Sequence, residues 1–284
     1  MREGHASLTA LAVAMGRGLG TRSDVRDEAG SKLIPGAMGG LLRAASRREP
    51  MRWLGRVASL GLVDHVTMRM AAIDAAVSHA VARGCDQLVV LGAGLDARAQ
   101  RLACLGAVDV LEVDHPDTQA TKQRRVVLSQ CRARSLRFVP VDFEADSLDL
   151  RLDEAGHDPL RPTFWIWEGV TPYLQLEAID ATLRTVGARS APASGLAMTY
   201  AVEARVPLPV AARLAFSALG EPLLATLSPD EAARRSAAVG FAPLSDTDST
   251  DWSTQYPGSA RLAVLFAAER LLVAVRHATA ASSV

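Results

Sequence analysis

The chain has 284 residues, 49% of them hydrophobic, which is enough for one large domain or two small ones with a substantial core. Lys and Arg number 31 and Asp and Glu also number 31, a balance that argues against nucleic-acid binding through a basic surface. The three cysteines fit neither a disulfide framework nor a zinc site, so we expect free thiols in the cytoplasm and no bound metal. No apolar run approaches the ~18 residues of a membrane span, so we expect no membrane partner.

Residues 1 to about 80 carry helical patterns with one interruption rich in turn residues. The stretch HASLTALAVAMGRGL predicts a first helix with a cap at Ser7 or Thr9. Pro and Gly in EAGSKLIPGAMGG predict a break, and DHVTMRMAAIDAAVSHAVARG predicts a long helix that ends at Gly84. We therefore predict a helical lid over residues 1–84.

From Gln87 onward, short apolar runs alternate with helical segments. This alternation predicts βαβ units and an α/β fold with a doubly wound, mostly parallel sheet. Runs that are apolar throughout indicate strands covered by helices on both faces. The predicted strands span residues 87–91, 108–113, 136–141, 163–168, 195–200 and 270–275.

Two further segments complete the chain. Residues 201–227 interrupt the strand pattern and are predicted to form an inserted cap. The helix that follows has Ser228 as its N-cap, Pro229 at its first position and Gly240 at its end. A single domain is therefore predicted, and its parts are the lid, a core with the first five strands (85–200), the inserted cap and a C-terminal part with helices and strands (228–284).

The turn after the first predicted strand carries the candidate site. In an open parallel sheet, ligands bind beyond the carboxyl ends of the strands, and glycines let the main chain approach them. The stretch QLVVLGAGLDARAQRL places Gly92 and Gly94 there, with Ala93 between them. It formally matches the G-x-G-x-x-G/A fingerprint of dinucleotide binding, which makes an NAD-dependent oxidoreductase one hypothesis.

Two aspartates favour a different ligand. Asp114 ends the second strand at the spacing from Gly94 that is expected of a ribose ligand, although it can also cap the helix that follows. Asp96 puts a carboxylate in the Gly turn, where it would repel a diphosphate and compete for main-chain N–H groups. A ligand with a ribose, a positive centre and no phosphate avoids this conflict, and S-adenosylmethionine fits that description. Asp96 can also be a structural N-cap, and the two roles are compatible.

Acids follow the next two strands as well. Asp142 ends the third strand, where a carboxylate can accept a hydrogen bond from an adenine amino group. Glu168 ends the fourth strand, where a carboxylate can pair with a methionyl ammonium. Each acid alone is weak evidence because strands often end in Asp or Glu. Together with Asp96 and Asp114 they form a constellation that favours the adenosyl cofactor.

The stretches VVLGAGLDARAQRL, EVDHP, VDF and WEGVTPYL together resemble the leucine carboxyl methyltransferase family, a group of S-adenosylmethionine-dependent O-methyltransferases. The N-terminal SLTALAVAMGR and MRMAAID resemble that family's SxTAxxxAxxR and ARTxxID. The resemblance covers residues 7 to about 175 with its spacing intact. It implies a Rossmann-like sheet of seven strands with helices on both faces and an N-terminal lid that clamps the cofactor. The family includes bacterial members that act in polyketide biosynthesis.

The resemblance also implies roles for individual residues. Arg17 and Arg69 would hold the carboxylate of the cofactor, a task that suits the planar, permanently charged guanidinium. Gly92 and Gly94 would lie at the methionine and ribose, and Glu168 near the ammonium. The other implied contacts are Asp114 at the ribose hydroxyls and Asp142 at the adenine, and we include their neighbours His115 and Phe143.

The chain departs from the family pattern near the predicted acceptor pocket. RM replaces RT at residues 69–70, and LDARA replaces LDTR. EGVTPYL replaces EGLLxYL, which puts Thr171 and Pro172 where the family has apolar residues. The usual DPxA appears as Asp27-Glu28-Ala29. The identity of the acceptor is therefore not carried over from any relative.

Methyl transfer from a sulfonium is an in-line displacement, so the protein mainly positions the acceptor oxygen. A carboxylate is ionised at pH 7 and needs no base, whereas a phenol or alcohol benefits from one. No residue stands out as a base. His115 and His157 are candidates only through their proximity to strand ends, and a surface or capping role is the favoured interpretation of both. A carboxylate of a small-molecule metabolite is therefore the favoured acceptor, with a hydroxyl as the alternative. The resemblance implies a polyketide-type natural product as one candidate metabolite. Tyr173 is predicted to line the methyl site, with ordinary packing as the alternative. Beside the methyltransferase and the NAD-dependent oxidoreductase, the third hypothesis for the whole protein is a non-catalytic family member.

Overall fold

One seven-stranded sheet organises the chain. The computed structural model describes residues 8–20, 27–34, 36–127, 130–142, 145–203, 224–259, 262 and 264–277. In chain order the strands are β1 (Gln87–Leu91), β2 (Asp109–Asp114), β3 (Ser135–Pro140), β4 (Thr163–Trp167), β5 (Gly195–Ala201), β6 (Phe241–Asp248) and β7 (Glu269–Arg276). They lie in the order β3-β2-β1-β4-β5-β7-β6, and β7 is antiparallel to both of its neighbours. The other strand pairs are parallel, so the predicted α/β, mostly parallel sheet is confirmed.

The described helices precede, connect and cover these strands. They are α1 (Leu8–Gly18), α2 (Glu28–Leu33), α3 (Gly36–Ser46), α4 (Glu49–Ala58), α5 (Leu62–Ala82), α6 (Arg98–Arg101), α7 (Pro116–Gln123), α8 (Leu148–Glu154), α9 (Leu176–Ala188), α10 (Pro229–Ala238) and α11 (Ser249–Gln255). Short 3-10 helices span Ala103–Ala107, Thr171–Tyr173 and Val264–Phe266. Within the described ranges, no helix is both long and apolar enough to cross a membrane.

The central strand β1 lies between β2 and β4. Its last residue, Leu91, is level with Val113 of β2 and Trp167 of β4. The chain leaves β1 toward β2 on one side and reaches β4 on the other side only after β3. The strand order therefore reverses at β1, and at such a switch point the connections diverge and leave a crevice. Residues that follow β1, β2 and β4 meet at this crevice.

Apolar side chains of the sheet belong to two cores, one on each face. Leu91 and Trp167 belong to the core that α8, α9 and α10 complete. Leu88 and Ile166 belong to the core that α5 and α11 complete. Burial on both faces explains why the central strands are apolar throughout rather than alternating.

The N-terminal helices pack over the turn that follows β1. A third, smaller core joins α1, α2 and α3 to this turn, and its members include Ala14, Leu33, Leu42, Leu95 and Ala97. The helical N-terminal part is thus held against the candidate site through apolar contacts. The division of the chain into lid, core, cap and C-terminal part stays a prediction.

The predicted helix boundaries are partly confirmed. Thr9 lies inside α1 and is not its cap, while Ser7 lies outside the described residues. Gly84, with a φ of +99°, follows α5 as predicted, because glycine adopts this left-handed conformation without strain. Ser228 caps α10 and forms a reciprocal capping box with Glu231.

The sheet contains one strand that no predicted run covered. β6 is rich in polar residues and forms the edge of the sheet next to β7. An edge strand is not enclosed on all sides, so its sequence need not be apolar. The predicted break near residue 34 separates two short helices, α2 and α3. Most of the predicted cap at 201–227 lies outside the described residues.

Candidate functional site

Two glycines shape the turn between β1 and α6. Gly92 has a φ of +67° and Gly94 a φ of +50°, both in the left-handed region that favours glycine. Ala93 between them donates its N–H to the carbonyl of Val113 at 3.0 Å. A Cβ on Gly92 would lie 2.3 Å from Cγ2 of Val170, so the segment after β4 passes directly against this turn.

Asp114, the last residue of β2, is bound to the Gly turn. Its Oδ2 accepts a hydrogen bond from the N–H of Gly94, and its Oδ1 accepts one from the N–H of His115 at 2.6 Å. Burial raises the pKa of Asp114, and these two hydrogen bonds oppose the rise. The cap of α7 is His115, whose Nδ1 accepts from the N–H of Asp117 at 3.3 Å. The capping role that was the alternative for Asp114 therefore belongs to His115, and Asp114 has further lone pairs for hydroxyl donors.

Asp96 is buried and engaged with Arg98. Its Oδ1 accepts from the main-chain N–H of Arg98 at 2.7 Å, and its Oδ2 pairs with the guanidinium of the same residue. Burial alone would raise the pKa of Asp96, but the charges of Arg98 and Arg17 hold it below its usual value. The N-cap of α6 is Ala97, so the N-cap interpretation of Asp96 is wrong by one residue, although Asp96 does hold the first N–H of α6. Its charge is compensated within the protein, so this charge alone does not exclude a diphosphate, contrary to the sequence argument.

Glu168 follows β4 directly and lies at the centre of a cluster of arginines. Arg17 of α1 and Arg69 of α5 donate to its Oε1, Arg69 at 2.9 Å, and Arg98 donates to its Oε2 at 3.0 Å. The side chain of Glu168 is 6% exposed. Burial alone would raise the pKa of Glu168, but Arg17, Arg98 and Arg69 hold it well below its usual range. An ionised carboxylate therefore stands at the switch point.

Two of these arginines are oriented by further acids. Both oxygens of Glu269, the first residue of β7, accept from Nη1 of Arg69 at 2.6 Å. The same carboxylate contacts Nε2 of His65 at 2.6 Å. Asp74 of α5 accepts from Nε of Arg98 at 2.8 Å. Arg69 and Arg98 are thus fixed in the orientations in which they reach Glu168.

Sequence reasoning missed three residues of this cluster: Asp74, Arg98 and Glu269. Asp74 and Arg98 stand inside the stretches MAAID and LDARA, which carry the family resemblance, so a signal for them was present. Glu269 opens β7, far along the chain from its partner Arg69, and no local pattern marks it.

Arg17 keeps a donor available at this site. The residue is buried, and its Nε has no hydrogen-bond partner among the described residues. A buried N–H without a partner is costly, so a ligand oxygen would be stabilised there. Arg17 and Glu168 therefore present a donor and an ionised acceptor side by side. These are the two groups that the carboxylate and ammonium of an amino-acid moiety require.

The remaining predicted contacts surround this edge of the sheet. Asp142 follows β3 and is half-buried, and its N–H donates to Oδ2 of Asp146 at 2.9 Å. Tyr173 is half-buried in the short helix after β4, and its N–H donates to the carbonyl of Val170 at 3.0 Å. Phe143 lies outside the described residues. The cofactor and methyl-site roles of these residues stay predictions.

His157 is a buried residue, so its interpretation as a surface or capping residue is wrong. It contacts Oγ1 of Thr163 at 3.1 Å and accepts from Nε of Arg189 at 3.4 Å. Burial, together with the charge of Arg189, lowers the pKa of His157 to about 4. Thr163 is the first residue of β4, whereas Glu168 follows the last one. His157 therefore lies near the amino ends of the strands, away from the site at their carboxyl ends, and cannot serve the site as a base.

Comparison with known proteins identifies relatives. Residues 10–187 match the family model of leucine carboxyl methyltransferase. A protein of Mycolicibacterium smegmatis named "Putative S-adenosyl-L-methionine-dependent methyltransferase" is 34% identical over 199 residues, which cover 67% of this chain and 62% of the relative. The chain thus spans less than two thirds of that relative. A protein of Saccharopolyspora erythraea with the same name is 36% identical over 205 residues, which cover 71% of this chain and 69% of the relative.

A solved structure resembles the whole fold. The crystal structure of a "putative methyltransferase" from Thermobifida fusca YX has a TM-score of 0.62 and covers 98% of this chain and 97% of its own. Its sequence identity is 18%, so this likeness concerns the fold alone and supports the Rossmann-like architecture. The family match over more than half of the chain, together with relatives named as S-adenosyl-L-methionine-dependent methyltransferases, shows that the chain belongs to the leucine carboxyl methyltransferase family.

Proposed function

We propose that the chain binds S-adenosylmethionine and transfers its methyl group to a carboxylate oxygen of a small-molecule metabolite. The observation that carries this proposal is the pair formed by Glu168 and Arg17, an ionised carboxylate beside a buried guanidinium N–H that has no partner among the described residues. The methionyl part of the cofactor carries an ammonium and a carboxylate on one carbon. Charge-assisted hydrogen bonds to Glu168 and Arg17 would satisfy both groups.

Each part of the cofactor has a matching group at the same edge of the sheet. Asp114 would accept hydrogen bonds from the ribose hydroxyls, and the Gly turn would let the main chain approach the ligand. Asp142 would accept from the adenine amino group. Arg69 already donates to Glu168 and Glu269, so we assign it chiefly to orienting Glu168, and we assign the cofactor's carboxylate to Arg17.

The proposed chemistry needs little from the protein beyond positioning. When bound, the cofactor would supply a methyl group on a positively charged sulfur, and this sulfur would leave as a neutral thioether as the methyl group passes to the acceptor oxygen. A carboxylate acceptor is already ionised at pH 7 and requires no proton removal. His115 caps α7, and His157 is buried near the amino ends of the strands, away from the site. Both histidines are thus engaged elsewhere, which supports an acceptor that needs no base. Tyr173, in the segment that passes against Gly92, is assigned to the wall of the methyl site.

A polyketide-type or related natural product is the proposed source of the carboxylate. The support for this choice is the resemblance to bacterial family members that act in polyketide biosynthesis. A cytoplasmic location is supported by Cys85, Cys104 and Cys131, which are free thiols.

The dinucleotide hypothesis has less support. A diphosphate binds at the N-terminus of a helix, where free N–H groups and the helix dipole act together. Here α6 has four residues, and the N–H of Arg98 at its start already donates to Asp96. Family membership also favours the methyl donor over NAD.

Calorimetric titration tests the cofactor. We expect S-adenosylmethionine and S-adenosylhomocysteine to bind and NAD not to bind. Glu168→Gln should weaken both adenosyl ligands because the amide cannot pair with the ammonium as a carboxylate does. The variant Asp180→Asn, at an ion pair of α9 with Arg235, is the matched control and should leave affinity unchanged. Binding of NAD alone would refute the proposal.

The acceptor class can be read from the product. With methyl-labelled cofactor and a small-molecule extract of the native host, a carboxyl methyl ester releases labelled methanol in mild alkali, whereas a methyl ether does not. Volatile label after alkali is the expected result. Alkali-stable label would assign a hydroxyl acceptor, and a folded protein that binds the cofactor but labels nothing would support the non-catalytic hypothesis.

A further inference from the structure

The helix α4 is oriented with its polar face against the protein. Arg52 donates to a main-chain carbonyl at 2.8 Å, and Arg56 pairs with both oxygens of Asp64 at 2.6 and 2.9 Å. Together with Gly55 and Ser59 these arginines recur at helical spacing, and they are the half-buried positions of the segment. No residue of α4 itself is buried. This is the reverse of an ordinary surface helix, which buries its apolar stripe.

The apolar side chains of α4 consequently face solvent. Trp53 is 61% exposed, and its neighbours Leu54 and Val57 on the same face are more than half exposed. Met51 and Leu60 extend this face toward either end. We call these five residues the α4 patch. Contiguous apolar side chains at the surface of a folded protein mark an interaction site.

The α4 patch lies in a basic part of a chain that is neutral as a whole. Residues 41–58 contain five arginines and a single acid, Glu49. Arg56 is matched by an aspartate, but Arg43 and Arg52 donate to main-chain carbonyls, which do not neutralise their charge. Two copies of such a face would repel each other, so the charge opposes self-association and favours an anionic partner.

We propose that the α4 patch docks the protein on an anionic lipid surface. A single exposed helix with Trp, Leu and Val on its outer face can bury these side chains at the headgroup boundary, while nearby arginines attract anionic headgroups. Tryptophan is also a side chain that prefers this boundary. The expectation of no membrane partner considered only segments that span a bilayer, and docking of this kind needs none. The docking is independent of the proposed methyl transfer.

Trp53 provides an intrinsic probe for the test. The other tryptophans, Trp165, Trp167 and Trp252, are at most 1% exposed, so a change in emission on adding vesicles reports on Trp53. With vesicles of phosphatidylcholine and phosphatidylglycerol at low salt we expect a blue shift, protection from acrylamide quenching and co-sedimentation. With vesicles of phosphatidylcholine alone, or at high salt, the partition coefficient of the protein between vesicles and water should be about tenfold lower.

Two pairs of substitutions separate the apolar and the ionic parts of the docking. Trp53→Ser with Leu54→Ser should lower co-sedimentation about tenfold. Arg47→Glu with Arg48→Glu should abolish the preference for anionic vesicles. Leu160→Ser is the matched control, because Leu160 is 86% exposed and lies outside the patch. All these positions are exposed, and thermal melts that agree with the parent protein confirm that the variants fold.

Three results would overturn the proposal. The first is a parent protein that binds neither vesicle type at low salt, and the second is a serine variant that binds vesicles as well as the parent does. A concentration-dependent dimer that the serine variant dissociates, without vesicle binding, would assign the patch to a second copy of the chain. Cofactor affinity should be the same in the parent and in the serine variant, so the outcome does not depend on the proposed function.

Discussion

Arg98 donates through Nη2 to Oε2 of Glu168 at 3.0 Å, and this contact joins the turn after β1 to the end of β4. Both side chains are almost fully enclosed. The same guanidinium also compensates Asp96, so one positive charge supports two buried carboxylates. The contact therefore connects the stability of the fold with the electrostatics of the site.

Replacement of Arg98 by Gln should destabilise the protein by about 3–5 kcal/mol, because removal of one partner leaves buried charges uncompensated. Denaturant unfolding at pH 7 measures the change. Arg134→Gln is the control, since its ion pair with Asp109 is exposed and should contribute little. Similar small effects for both variants would show that the buried network is not a stabilising feature.

Replacement of Asp114 by Asn should weaken S-adenosylmethionine binding by about 1–3 kcal/mol. The amide has one acceptor oxygen, for which the N–H of Gly94 and the ribose hydroxyls would compete. Titration calorimetry gives the affinity, and Asp117→Asn in the first turn of α7 is the nearby control. If the Asp114 variant folds normally and binds as tightly as the parent, the ribose assignment is wrong.

His157 should make stability depend on pH between about 4 and 6.5. Its pKa is about 4 in the folded protein, whereas a histidine in the unfolded chain titrates near 6.5. As the pH falls, the unfolded state binds the proton first. The contribution of neutral His157 to the free energy of unfolding is therefore complete above about pH 6.5 and is lost toward pH 4. The stability advantage of the parent over His157→Gln should therefore shrink by about 2–3 kcal/mol from pH 7 to pH 4.5. An advantage that is the same at both pH values would contradict this.

Replacement of Gly92 by Ala should lower the free energy of unfolding more than the same change at Gly36. Both glycines have a φ of +67°, but a Cβ at Gly36 meets no atom within 4 Å, whereas one at Gly92 meets Val170. Gly36→Ala therefore reports backbone strain alone, about 1–2 kcal/mol. Adding Val170→Ala to the Gly92 variant should restore the part of the stability loss that exceeds the loss in the Gly36 variant, as measured by thermal or denaturant unfolding. A double variant as unstable as Gly92→Ala alone would mean that the contact is not responsible.

The strands that were easiest to predict are the buried strands of the sheet. β1, β4 and β5 are buried along almost their whole length, and their mostly apolar runs are visible in the sequence. β3 was also predicted, although it is an edge strand whose residues are only partly buried. β6 is an edge strand, so its polar residues carry no comparable signal. A local apolar pattern therefore reports burial, but it does not give the position of a strand in the sheet, because only one of the two edge strands lacked it.

The positions of Asp114 and Glu168 could be predicted because one ends and the other directly follows a parallel strand, and the carboxyl ends of such strands meet on one side of the sheet. Their partners could not be predicted in the same way. Glu269 reaches Arg69 from a distant part of the chain, and the sequence does not show this contact. The interpretation of Asp96 from its charge was incomplete because Arg98, two residues later, neutralises it.

Arg17 and Arg69 come from helices that precede the sheet, while Glu168 directly follows strand β4. Occupancy of the site and docking of α1 on the Gly turn are consequently linked equilibria. If α1 opens for a fraction of the time, the apparent dissociation constant rises in proportion to the loss of the docked state. Conversely, a bound ligand that uses Arg17 holds α1 closed, so slowed amide hydrogen exchange in α1 would measure the same free energy as the titration.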